Sequence, residues 1–110
     1  MKSIPLILAA AAFALSSAAG AAVDADAAQA LMKKSDCFKC HAVDKDKKGP
    51  SFKKTAAKYK GKADGEDKIV KMITTSPKVK LDDGTEEEHK VIQSKDPAAI
   101  KNVAEWILAQ

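Results

Sequence analysis

Apolar residues recur at three- and four-residue spacing in four stretches, and nowhere do they alternate over the length of a strand. The pattern therefore predicts helices and no sheet. The last stretch is the most regular: Ile100, Val103, Ala104, Ile107 and Leu108 follow Asp96-Pro97, a capping residue with proline at the first helical position, and predict a helix from Pro97 to Ala109. At the other end Ala27, Ala28, Ala30, Leu31 and Met32 predict a helix between Asp24 and Ser35. Asp24 or Asp26 can cap its start, and Lys33 and Lys34 suit the negative end of its dipole. Between these two, Ser51 opens a short helix to about Lys58, with Phe52, Ala56 and Tyr59 in register and Gly61 ending it. Another runs from Glu66 to Ser76, with Asp64 as its cap and Ile69, Val70, Met72 and Ile73 on one face, until Pro77 stops it. The fold class expected from this pattern is all-α.

Two stretches fall outside it. From Pro77 to Lys95 the chain is charged and unpatterned, a length that a small domain carries only when the loop has a task. Thr85-Glu86-Glu87-Glu88 has the form of a capping box and predicts a helical turn with His89 in it. At the N-terminus, Lys2, the apolar run from Ile4 to Ser17 and the small residues Ala19-Gly20-Ala21 read as a secretory leader over residues 1–21, cleaved near Ala21 or Ala22. The run is short and alanine-rich for a membrane span, and no second one follows, so residues 22–110 are expected to form one exported domain without a span.

Composition adds two constraints. Beyond the leader the aromatic side chains are Phe38, Phe52, Tyr59 and Trp106, little material for the core of so small a chain, which usually needs a staple, a metal or a cofactor. All 19 cationic side chains are lysines, against 15 carboxylates. Ten of them crowd the region from Lys33 to Lys60. Without arginine forks or interleaved aromatics this is a poor nucleic-acid reader, but it could steer an acidic protein partner or simply keep the surface solvated.

The candidate chemistry lies in Cys37-Phe38-Lys39-Cys40-His41. This spacing lets both thiols add to the vinyl groups of one haem while the following imidazole ligates its iron. A thioredoxin-like motif would need a preceding buried strand, whereas an alanine-rich helical stretch precedes Cys37. Zinc held by Cys37, Cys40, His41 and His89 is the sharper competitor, although adjacent ligands at Cys40 and His41 suit one tetrahedral ion badly. A local disulfide is the remaining alternative. Export favours capture of the thiols, since cysteines outside the cytoplasm otherwise oxidise.

Taken with Gly49-Pro50-Ser51-Phe52, Ala57-Lys58-Tyr59-Lys60-Gly61 and Ala104-Glu105-Trp106-Ile107-Leu108, the motif makes residues 22–110 resemble a class I cytochrome c of the small bacterial periplasmic kind. The resemblance implies four to five helices around one haem c bound through Cys37 and Cys40. The first and last helices pack together with Trp106 in or near the contact. It implies His41 as proximal ligand, with its Nδ1 proton on the carbonyl of Pro50, and Pro50 and Tyr59 beside the haem. It also implies a monomeric carrier of single electrons between redox partner proteins rather than an enzyme.

One departure stands out. Relatives of this kind supply a methionine from a proline-rich loop as second axial ligand, and this chain has no such segment; His89 falls at that place. His89 is therefore the expected distal ligand, with Met72, Lys90 or a vacant position as alternatives. A second imidazole favours ferric iron and lowers the potential, and Glu86, Glu87 and Glu88 should push the same way. The sparse apolar anchoring of the loop suggests that it opens at modest cost, with acid aiding ligand loss. A displaceable distal ligand would make the protein a small-molecule (gas) sensor or peroxidase-like instead.

Overall fold

The computed structural model describes residues 22–110, so the expected leader lies outside it. Four α-helices follow the apolar stretches: α1 (Ala25–Lys34), α2 (Phe52–Tyr59), α3 (Gly65–Thr75) and α4 (Pro97–Leu108). Three begin as the capping residues dictate. The side chains of Asp24, Ser51 and Asp96 accept the amides of Ala27, Lys54 and Ala98 at 3.0, 3.1 and 3.0 Å. Asp64 precedes α3 but makes no side-chain cap; that helix gains from Glu66 and Asp67 in its first turn. Gly61 takes the left-handed φ of 76° that lets the chain leave α2.

The long charged segment is not a helical turn. Lys78–Lys80 (β1) pairs antiparallel with Glu86–Glu88 (β2), placing Lys78 opposite Glu88, Val79 opposite Glu87 and Lys80 opposite Glu86. The register sets Lys78 and Lys80 directly across from Glu88 and Glu86, and opposite charges facing across an antiparallel pair favour this hairpin. Three-residue strands carry too little alternation to register as a pattern. The described residues remain mainly helical around this one two-stranded ribbon.

Helices α1 and α4 cross and pack. Ala28 and Met32 from the first meet Val103, Ala104 and Ile107 from the last in a core where Met32 and Ala104 have no exposed surface. Alanines at the crossing let the backbones approach, and Met32 fills the space beside them. Asn102 fastens the crossing: its Oδ1 accepts the amide of Asp24 at 2.9 Å and its Nδ2 donates to the carbonyl of Asp24 at 2.8 Å. Trp106 turns toward α2, edge-on to Phe52 with ring centroids 5.6 Å apart. Helices α2, α3 and α4 thus form one wall, and the turn after α1 and the hairpin border the opening in front of it.

Candidate functional site

The attachment motif owes its shape to the end of α1. The backbone N–H of Ser35 still bonds to Leu31, after which Asp36 takes a left-handed φ of 62° and turns the chain into a single 3-10 turn, Cys37–Lys39. The amides of Cys40 and His41 both reach the carbonyl of Cys37, at 3.3 and 3.0 Å. This tight turn puts both cysteines and His41 on the wall of one cleft. The thiols are half-buried and unbridged. Burial, with a smaller contribution from Asp36, pushes the Cys37 thiol above its ordinary value, opposite to the depressed thiol of a thiol–disulfide exchange motif.

His41 is held on three sides. Its Nδ1 lies 2.6 Å from the carbonyl oxygen of Pro50, as the resemblance implied. A carbonyl only accepts, so Nδ1 carries the proton and Nε2 keeps its lone pair. One ring face stacks on Phe52, centroids 5.2 Å apart at 30°. On another side Gly49 leaves no room: a Cβ there would sit 2.5 Å from Cε1 of the imidazole.

His89 directly follows the hairpin and comes to the same cleft. Its Nδ1 lies 2.9 Å from the carbonyl of Lys90, which fixes the same tautomer and leaves Nε2 available. Burial holds this imidazole below its ordinary pKa against the opposing carbonyl of Lys90, and nearby His41 adds to the effect, so it is neutral at pH 7 and able to donate a lone pair. The two ring centroids are 6.1 Å apart. Two metal–nitrogen bonds of about 2 Å each plus the ring radii come to roughly 6.3 Å, close to this separation.

The cleft encloses about 260 Å³ and is walled by Ile69, Met72 and Ile73 of α3 and by Val79 and Leu81 of the hairpin. Pro50 and Tyr59 border it as well, so every sequence-predicted site residue meets here. An apolar slot with two thiols at one edge and two inward imidazoles suits a flat, iron-containing macrocycle tethered at its rim. Sequence reasoning missed Gly49, whose need for a bare Cα is steric. It also missed Lys68 and Lys80, which with Lys90 join Lys48 and Lys58 along the cleft from distant parts of the chain.

Two expectations about the long segment change. Glu87 and Glu88 do line the cleft, but Glu86 and Glu88 stand opposite Lys80 and Lys78 across the hairpin, and those cations offset part of their field. The loop also does not open as one piece. Ile92 is buried in the core with its amide on the carbonyl of Ile73 at 2.8 Å, and the amide of His89 bonds to Pro77 at 2.8 Å. The exposed tip can move while the end that bears His89 stays docked.

Among the described residues no helix is long and apolar enough to cross a membrane. Residues 25–110 match the family model for cytochrome c. The chain is 36% identical over 78 residues to cytochrome c-551 of Pseudomonas denitrificans, covering 71% of this chain and 90% of that protein. Cytochrome c-551 of Azotobacter vinelandii is 36% identical over 81 residues, with the same coverage. Among solved structures, the class 1 cytochrome MtoD from Sideroxydans lithotrophicus ES-1 superposes with a TM-score of 0.76 at 56% identity, covering 80% of this chain and 97% of that one. Wild-type Nitrosomonas europaea cytochrome c552 gives 0.57 at 28% identity, covering 74% and 96%.

Proposed function

Because the chain belongs to the cytochrome c family, whose members carry one covalently attached haem c and transfer electrons, we propose that it is an exported, periplasmic shuttle whose iron is held between two imidazoles. Cys37 and Cys40 would tether the haem. His41 would be the proximal ligand, oriented by the carbonyl of Pro50, and His89 the distal one. The haem supplies a one-electron couple. The observation that carries the reading is the pair of imidazoles in one cleft, 6.1 Å apart between centroids and each with Nδ1 engaged by a backbone carbonyl.

The residues divide the work as follows. The carbonyls of Pro50 and Lys90 keep both Nε2 atoms basic, which would strengthen their donation to a bound haem iron and favour its oxidised state. Phe52, Ile69 and Ile73 exclude water from the inner wall. Gly49 and Phe52 restrict rotation of the His41 ring, so little reorganisation would accompany each electron. Lysines at the rim attract an acidic partner and raise encounter rate more than affinity.

The deciding experiment is an absorption and electron paramagnetic resonance spectrum of the ferric holoprotein, followed by potentiometric titration of wild type and His89→Met. A low-spin bis-imidazole signal and a higher potential in the variant are expected. A thioether signature in the wild type assigns the sixth position to Met72 and refutes the ligand set. Rapid carbon monoxide binding by the reduced wild type would favour the sensor or peroxidase-like alternative; the docked position of Ile92 favours slow binding.

A further inference from the structure

The segment from His89 to Gln93 is gripped at both ends by a serine hydroxyl that electron transfer does not use. On the α3 side, Ser76 donates through Oγ to the carbonyl of His89 at 2.6 Å. Ser76 sits at a left-handed φ of 53°, where glycine is the cheaper residue, so the position carries a hydroxyl against the backbone's preference. On the α1 side, the hydroxyl of Ser35 donates to the carbonyl of Leu31 at 2.7 Å and accepts the amide of Gln93 at 2.9 Å. Ser35 is 4% exposed, and these two bonds employ its hydroxyl as both donor and acceptor. Beside it Asp36, the other left-handed non-glycine residue among those described, reaches the ammonium of Lys90 at 3.7 Å.

We propose that Ser35 and Ser76 are positioning residues that fix the approach of the His89 imidazole to the haem iron. This rests on His89 being the distal ligand. For the ring to withdraw, the His89 peptide must rotate or the segment must lift from α1. The first breaks the bond to Ser76 and the second the bond to Ser35. Because Ser35 stands two residues before Cys37, it couples the ligand-bearing segment to the turn that holds the tethered edge, and the two sides of the cleft keep a common frame.

The test uses the holoprotein in four forms: wild type, Ser76→Gly, Ser35→Ala and Ser94→Ala. Ser94 lies in the same loop but its hydroxyl serves the amide of Asp96, so it is the control. Three quantities are measured: the rate of carbon monoxide binding to the reduced protein, the ferric electron paramagnetic resonance spectrum, and hydrogen exchange at the amides of His89 and Gln93. Removing one such hydrogen bond should speed carbon monoxide binding by about five-fold. Ser76→Gly should do so without lowering the melting temperature, since glycine suits the left-handed backbone. Ser35→Ala should also speed exchange at Gln93, and Ser94→Ala should match wild type. Wild-type rates and spectra in both Ser76→Gly and Ser35→Ala overturn the proposal. A thioether signature in the wild type refutes the ligand assignment beneath it, and it is visible before any variant is made.

Discussion

Replacing Gly49 by alanine tests whether the His41 ring is as tightly confined as the geometry indicates. The added Cβ would lie 2.5 Å from Cε1 and 3.0 Å from Nδ1 of the imidazole, where carbon atoms prefer about 3.5–4.0 Å. The ring can yield only toward the cleft, because Pro50 holds Nδ1 at 2.6 Å and Phe52 covers a face at 5.2 Å. Overpacking of this kind costs about 1–3 kcal/mol, and loss of the Pro50 hydrogen bond adds about 1 kcal/mol. For a domain of this size a total of about 2–4 kcal/mol lowers the melting temperature by roughly 10–25 °C. Release of Nδ1 also weakens donation by Nε2, so the potential should rise. Thermal unfolding of the holoprotein and potentiometric titration measure the two effects. Gly84→Ala is the comparison: that glycine has a left-handed φ of 85° with nothing within 4 Å of its added Cβ, so it should cost about 1 kcal/mol and leave the potential alone. If Gly49→Ala melts and titrates like wild type, the confinement of His41 is refuted.

Three further outcomes are expected. Asn102→Ala removes both bonds between α4 and Asp24 and should cost about 1–2 kcal/mol in denaturant unfolding, with an unchanged haem spectrum. Met32→Ala, in a fully buried position between α1 and α4, should cost about 2–5 kcal/mol by the same assay. The Lys54 ammonium and the Ser51 amide hold the Asp46 carboxyl below the usual carboxylate range. The stability it contributes is therefore present above its ordinary value and lost as pH falls through the lowered one. Asp46→Asn should be less stable than wild type at neutral pH and equal to it in strong acid; a difference that persists undiminished in acid would contradict this.

Legibility followed the range of the interaction. The ends of α1, α2 and α4 could be read because Asp24, Ser51 and Asp96 cap within their own turns. The motif at Cys37, Cys40 and His41 could be read because one tight turn brings those residues together. The hairpin could not, since its stability lies in pairs such as Lys78 with Glu88, ten positions apart, and the local run of glutamates pointed to a helix instead. The same holds for the lysine rim, which draws Lys48, Lys68 and Lys90 together from three separate segments.

Sequence alone determined the helical periods, the thiol pair with its adjoining imidazole, and hence a small domain completed by a covalently bound haem c. Those depend on neighbours a few residues apart. Only the folded chain decided that His89 lies 6.1 Å from His41 between ring centroids, that Gly49 must lack a side chain, and that the end of the loop bearing His89 is docked while its tip is exposed. Each of these depends on groups remote in sequence, whose distances are fixed by how α1, α3 and α4 pack and by no local preference of the chain.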